Sequence, residues 1–205
     1  MVMGDEVASI THHESGHAVA ALMTAHGDIG SHIALRLVGD RGGGTSHIRA
    51  STVQFPAQAA FIYFAGPLAE ARVKWGKPVH TLDDTNEHGL VFGQVVDAAF
   101  SDGSDYGGGS DRARFDSLAT VEPTIADQLP YWVCELERAW PVITRLANAL
   151  TERLRQAEPD TETWAAVGKI EREARMSNAE IVALVQPPLE ASGMWRYLGA
   201  TRAQS

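Results

Sequence analysis

The sequence predicts a mainly α protein with a small β-hairpin or sheet, an α+β class. Three observations lead there. Apolar residues recur at helical spacing near the N-terminus and again over Tyr131–Ala157; residues 33–38 alternate; and Ser177-Asn178-Ala179-Glu180 is a capping box that opens a further helix. At 205 residues, 44% hydrophobic and 21% charged, the chain suits one domain, 1–205, large enough to bury a core.

In chain order, Asp5 is placed to cap a helix running to about Ala25, with Gly27 as its stop. Val7, Ile10, Ala18, Ala21, Leu22 and Ala25 give it an apolar face. Ile33, Leu35 and Leu37 then alternate with Ala34, Arg36 and Val38, a strand signal. Gly39-Asp40-Arg41-Gly42 reads as a turn into a second strand near Thr45–Ile48. A second helix is expected over Ala57–Trp75, closed by Gly76, with Gly66-Pro67 kinking or splitting it because proline removes a hydrogen bond and clashes with the preceding turn. An acidic, elaborated loop follows over about 77–109, with a short helix at Leu90–Phe100. The C-terminal half, 110–200, reads as helical. It holds a helix from Ser110 through Ala119, a short segment bracketed by Pro123 and Pro130, a long helix over Tyr131–Ala157 bent at Pro141, and a last helix over Ile181–Val185 stopped by Pro187-Pro188.

Composition removes several function classes. The formal net charge of −9, from 17 Lys+Arg against 26 Asp+Glu, argues against nucleic acid and anionic membranes as partners, since both are met by cationic faces. One cysteine, Cys134, makes neither an internal disulfide nor a cysteine-rich zinc knuckle, and it reads as a buried small hydrophobe. The most apolar window, Ala57–Ala71, is interrupted by Gln58, Pro67 and Glu70 and falls short of a membrane span. The opening MVMGDEV lacks the basic-then-apolar order of a secretory signal, so the expected compartment is the cytoplasm.

The chemistry concentrates in His13-Glu14-Ser15-Gly16-His17, an H-E-x-x-H pentad inside the first helix. Residues four apart on a helix differ by about 40° in direction, so His13 and His17 share a face and can hold one zinc ion, with bonds of about 2.0–2.1 Å. Glu14 lies about 100° round, too far to be an equivalent ligand yet within reach of a zinc-bound water, the place for a general base. Gly16, a poor helix former, signals that something packs closely against it. His12 reads as a neighbour rather than a ligand, and His26, His32 and His47 as hairpin or loop surface. A catalytic zinc takes a third protein ligand and leaves one position open. Glu70, His80, Asp83, Asp84, His88, Asp102, Asp105 and Asp111 are available, and spacing does not choose among them. The metzincin pattern fails, because positions 20 and 23 are Ala and Met.

His13-Glu14-Ser15-Gly16-His17-Ala18-Val19 resembles the HEAGHA motif of the FtsH family of zinc proteases. Later features match in the same order. Ile33-Ala34-Leu35-Arg36-Leu37 followed by Gly43-Gly44-Thr45 resembles that family's strand, glycine turn and second strand. Phe64-Ala65-Gly66-Pro67-Leu68-Ala69-Glu70 resembles its second helix, and Gly107-Gly108-Gly109-Ser110-Asp111-Arg112-Ala113 the stretch whose aspartate is the third zinc ligand. Met176–Ile181 resembles its closing helices. The resemblance spans most of the chain. It departs at Pro67, where the family has Arg, and at a longer Lys77–Tyr106.

The resemblance implies an FtsH-peptidase-like helical zincin domain binding one Zn2+ through His13, His17 and Asp111, with Glu14 as general base; Glu70 is the alternative third ligand, since a helix-borne Glu fills that place in thermolysin-like enzymes. It implies a metalloendopeptidase acting on unfolded or flexible polypeptide, whose backbone would lie by strand addition along Leu35, Arg36, Leu37 and Val38. No G-x-x-x-x-G-K-[ST] phosphate loop is present, so ATP coupling would come from a separate ATPase; a homo-oligomer is the other partner to consider. A non-enzymatic zinc-retaining regulatory module and a zinc amidase with a small substrate are the alternative functions.

Overall fold

The computed structural model describes residues 3–38, 41–50, 52–102, 111–160 and 171–199. Among these it is mainly helical with a small antiparallel sheet, in the order α1 (Met3–Met23), β1 (Asp28–Val38), β2 (Arg41–Arg49), α2 (Pro56–Trp75), α3 (Phe92–Asp102), α4 (Asp111–Val121), α5 (Ile125–Gln156), β3 (Glu171–Ser177) and α6 (Asn178–Ala191). None of the described helices is long and apolar enough to cross a membrane.

The first helix is the spine. Asp5 and Glu6 in its first turn complement the helix dipole. From Glu14 onward it is buried, and Ala18 through Met23 are each 0% exposed. It packs against α2, α5 and the hairpin at once, which requires small side chains. A Cβ at Gly16 would lie 2.4 Å from the Ala65 carbonyl oxygen of α2, so glycine is what lets the two helices cross this closely. The helix ends at Met23, two residues earlier than expected, because the C-terminal segment takes its last carbonyls. Arg196 and Leu198 amides donate to Leu22 and Met23, each at 3.0 Å.

The sheet order is β2-β1-β3. The expected hairpin is present, with Val38 opposite Arg41, and its Gly39-Asp40 turn lies outside the described residues. Ile33, Leu35 and Leu37 are buried while Arg36 is exposed, as the alternation requires. The third strand was not legible. Its sequence, EREARMS, buries Ala174 and Met176 and closes on β1 through an Arg36–Glu171 pair at 2.5 and 2.8 Å.

Proline proved a weaker stop than expected. Pro67 does not split α2, Pro130 and Pro141 lie within one continuous α5, and α6 runs through Pro187 and Pro188 to Ala191. In each case burial continues past the proline: Leu68 and Ala69 in α2, Trp132 to Leu154 along α5, Leu189 in α6. Each buried large side chain stabilises by about 1.5–3 kcal/mol, which offsets the roughly 3 kcal/mol cost of an interior proline. Ser177 caps α6 with both halves of the capping box formed. Cys134 is exposed, contrary to expectation, because it falls between the buried Val133 and Leu136 on α5's outer side.

Candidate metal centre

One helical turn of α1 brings the His13 and His17 rings together, with centroids 4.8 Å apart and Nε2 atoms 3.1 Å apart. Asp111, the first residue of α4, sets its Oδ2 3.0 Å from each Nε2. The outer ring nitrogens are fixed too. His13 Nδ1 donates to Glu70 Oε2 at 2.9 Å, and His17 Nδ1 donates to the Ile62 carbonyl at 2.7 Å. Those partners can only accept, so in the neutral rings both Nε2 lone pairs face inward beside a carboxylate oxygen. Three acceptors aimed at one point do not satisfy one another; a cation satisfies all three.

Without a cation the cluster must hold a proton. Burial disfavours a charged His13, but the hydrogen bonds it donates to Asp111 and Glu70, with Glu14 nearby, outweigh it and push its pKa up to about 10. Burial would raise the pKa values of Asp111 and Glu70, yet the facing histidines overcome this and hold both carboxyls below the usual range, with Lys74 helping at Glu70.

The donor set fits zinc. A tetrahedral ion with bonds of about 2.0–2.1 Å spaces its ligands roughly 3.3 Å apart, a few tenths more than the 3.0–3.1 Å found here. Two imidazoles and one carboxylate suit zinc and leave a fourth position for water. The Glu70–His13 bond is the carboxylate–histidine arrangement that orients a ligating ring and raises its basicity. Both candidate carboxylates touch His13, at opposite ring nitrogens, and of the two it is Asp111 that also faces His17 Nε2.

Around this cluster the backbone comes unusually near. A Cβ at Gly66 would lie 2.3 Å from His17 Nε2, so the glycine beside Pro67 is the space the ring occupies. Glu14, 5% exposed, accepts a hydrogen bond from the Ser46 hydroxyl on β2 at Oε2. Its Oε1 passes Gly44, where a Cβ would stand 2.6 Å away. The Glu14 carboxylate is thus held beside the three donors without joining them.

His13, Glu14, His17 and Asp111 come together, and among the described residues these two histidines with Asp111 are the one group geometrically able to hold a metal. Other candidates lie elsewhere. His80, Asp83 and His88 are exposed, the His80 amide donates to Asp84 at 2.7 Å, and Asp105 lies outside the described residues. His12 turns away, stacking on Trp140 at 5.3 Å and donating from Nδ1 to the Ala8 carbonyl. The strand-addition expectation needs correction. Leu35, Arg36, Leu37 and Val38 belong to the central strand, paired with β2 on one side and β3 on the other, so no backbone there is left for a substrate. The strand at the edge, and in contact with Glu14, is β2.

Sequence reasoning missed Ser46, the Ile62 carbonyl and Lys74, whose ammonium donates to Glu70 Oε1 at 2.7 Å. Only Gly66 carried a signal, as a glycine at mid-helix. Compared with known proteins, the chain matches no family model, no curated protein and no solved structure, so its function is argued from this site alone.

Proposed function

We propose that this chain is a zinc-dependent endopeptidase of the FtsH-peptidase type, working without an ATPase in the same chain. One observation carries the reading: His13, His17 and Asp111 converge at 3.0–3.1 Å with Glu14 held alongside. A purely structural site has no use for the buried Glu14.

When bound, zinc supplies Lewis acidity that brings the pKa of a water from 15.7 toward about 7 and polarises a carbonyl. The chain's own residues do the rest. His13, His17 and Asp111 hold the ion, with Glu70 and the Ile62 carbonyl fixing the two rings. Glu14 accepts the attacking water's proton on a carboxylate oxygen and hands it to the leaving amine. Ser46 holds the other oxygen and keeps the carboxylate aimed. The edge strand β2, with Gly43, Gly44 and Thr45 beside Glu14, is where an extended polypeptide adds as a further strand. An extended substrate is an unfolded or flexible one.

The test is hydrolysis of an unfolded protein such as casein. Zinc-loaded wild type cleaves it, 1,10-phenanthroline stops the cleavage, and Glu14→Gln keeps about one zinc per chain while losing at least 1000-fold in rate, general-base catalysis contributing about 10²–10⁴. A Glu14→Gln variant as active as wild type would sink the mechanism, and a zinc-loaded wild type inert on every polypeptide would turn the reading to a binding module.

A further inference from the structure

The three metal ligands are supported unequally, and the difference falls on Asp111. His13 and His17 ride on α1, which is buried along its second half. Asp111 begins α4, a helix of 11 residues with Leu118 as its buried residue. A helix so short is marginal by itself, so the place of Asp111 is set by what α4 docks against. That surface is chiefly α2, with α3 and α5 at its margins. Phe115, one turn beyond Asp111 and on the same face, packs its ring against Phe64 of α2 at 6.1 Å and Phe100 of α3 at 5.6 Å. Phe64 and Phe100 are 6.3 Å apart, so the three rings close a triangle, and Phe100 is 4% exposed. Arg112, adjacent to Asp111, also reaches α3. It pairs with Asp97 at 2.9 Å, and its guanidinium lies 5.6 Å over the Phe100 ring. The ion pair is exposed and contributes little alone; the rings carry the docking.

Resting on the metal reading above, we propose that Phe115 is the positioning residue of the third ligand, and that α3, an element of the acidic stretch, braces Asp111 at the metal through Phe100, together with Phe64 of α2. A ligand displaced by a fraction of an ångström binds more weakly, and supports of this kind change metal affinity by about 10–100-fold.

Zinc and cobalt binding to the full chain test this without any activity assay. The chain is titrated with Zn2+ against a chromophoric chelator, and with Co2+ followed by its visible absorption, which reports the ligand set. Phe115→Ala is expected to bind zinc 10–100-fold more weakly than wild type, with unchanged helical circular dichroism and a cobalt spectrum that departs from that of wild type. Phe115→Leu keeps apolar bulk, tolerates the fold more easily, and should recover part of the affinity. Leu189→Ala, in α6, serves as a destabilised control that keeps wild-type affinity and spectrum. Wild-type zinc affinity and cobalt spectrum in both Phe115 variants, while Asp111→Ala loses the metal, would overturn the brace alone. A loss in Leu189→Ala as large as in Phe115→Ala would do the same, since it makes the effect one of general stability. A wild-type chain that takes up no zinc overturns the metal reading and the brace with it.

Discussion

His13 is held between two carboxylates, Asp111 on Nε2 and Glu70 on Nδ1, and the two have different tasks. On the proposed reading Asp111 would share the metal position with His17, whereas Glu70 orients the ring from behind. Asp111→Ala should therefore abolish stoichiometric zinc, while Glu70→Gln, which retains an acceptor, weakens affinity by less than Glu70→Ala, for which about 10–100-fold is expected; isothermal titration with a competing chelator separates them. The proton on His13 makes the same residue a pH sensor of metal loading. Its pKa in the cation-free fold stands at about 10, above the ordinary 6.5, so the stability it contributes is full below 6.5 and fades as pH rises through 10. Zinc must displace that proton, and apparent zinc affinity should climb across the same window, with proton release visible when calorimetry is repeated in buffers of different ionisation enthalpy. Affinity independent of pH between 6.5 and 9 would contradict this assignment.

At the scale of elements, two junctions decide the geometry. The α1–α2 crossing rests on Gly16 against Ala65 and on Gly66 against the His17 ring. Alanine is the better helix former by about 1 kcal/mol, yet Gly16→Ala should lower stability by about 1–3 kcal/mol net, because the new methyl would overlap a backbone carbonyl that cannot move aside. Thermal unfolding reads it, and a raised Tm would show that the helices part without cost. The other junction is the start of α6, where Arg153 of α5 and the Ser177 cap hold the Glu180 carboxyl down to about 2. Lowered from 4.5, that group contributes stability present above 4.5 and lost as pH falls through 2. Glu180→Gln should flatten the acid limb of the stability curve between those values and leave neutral zinc binding untouched. The prolines make a related point about legibility. Pro67, Pro130, Pro141, Pro187 and Pro188 all read locally as breaks, and all lie inside helices whose buried faces continue beyond them.

For the whole molecule, a metal held as proposed would join α1 to α4 across 98 residues of sequence, so its binding free energy would also be folding free energy. At free zinc 100 times the dissociation constant, linkage gives about 2.7 kcal/mol. For a chain of this size that is a rise in Tm of roughly 5–11 °C over the chelated protein, reversible with EDTA, and a Tm indifferent to chelator would mean the site is not closed by metal. The sheet shows where sequence reading ran out. Its central strand was legible from the alternation of Ile33, Leu35 and Leu37, but β3 was not. EREARMS is a strand because Arg36 and the open edge of β1 receive it, with Ala174 and Met176 covering the core, and no local pattern announces that. Once β3 is in place, Leu35–Val38 has no backbone to offer, and β2 becomes the edge beside Glu14.

By itself the sequence determined the pair of histidines one turn apart, the glutamate set about 100° round from the first of them, the helical character of most of the chain and the capping box at Ser177. These follow from helix periodicity and side-chain chemistry within a few residues, which any local segment carries with it. The tertiary structure decided that, among the described residues, Asp111 joins the two histidines, that Glu70 meets His13 on its outer nitrogen, that Ser46 holds Glu14, and that β2 is the edge strand beside that glutamate. Each of those depends on contacts between residues distant in sequence, from 32 positions for Glu14 and Ser46 to 135 for Arg36 and Glu171, brought together by burial of the α1, α2 and sheet faces, and a linear pattern does not encode which partner wins such a contact.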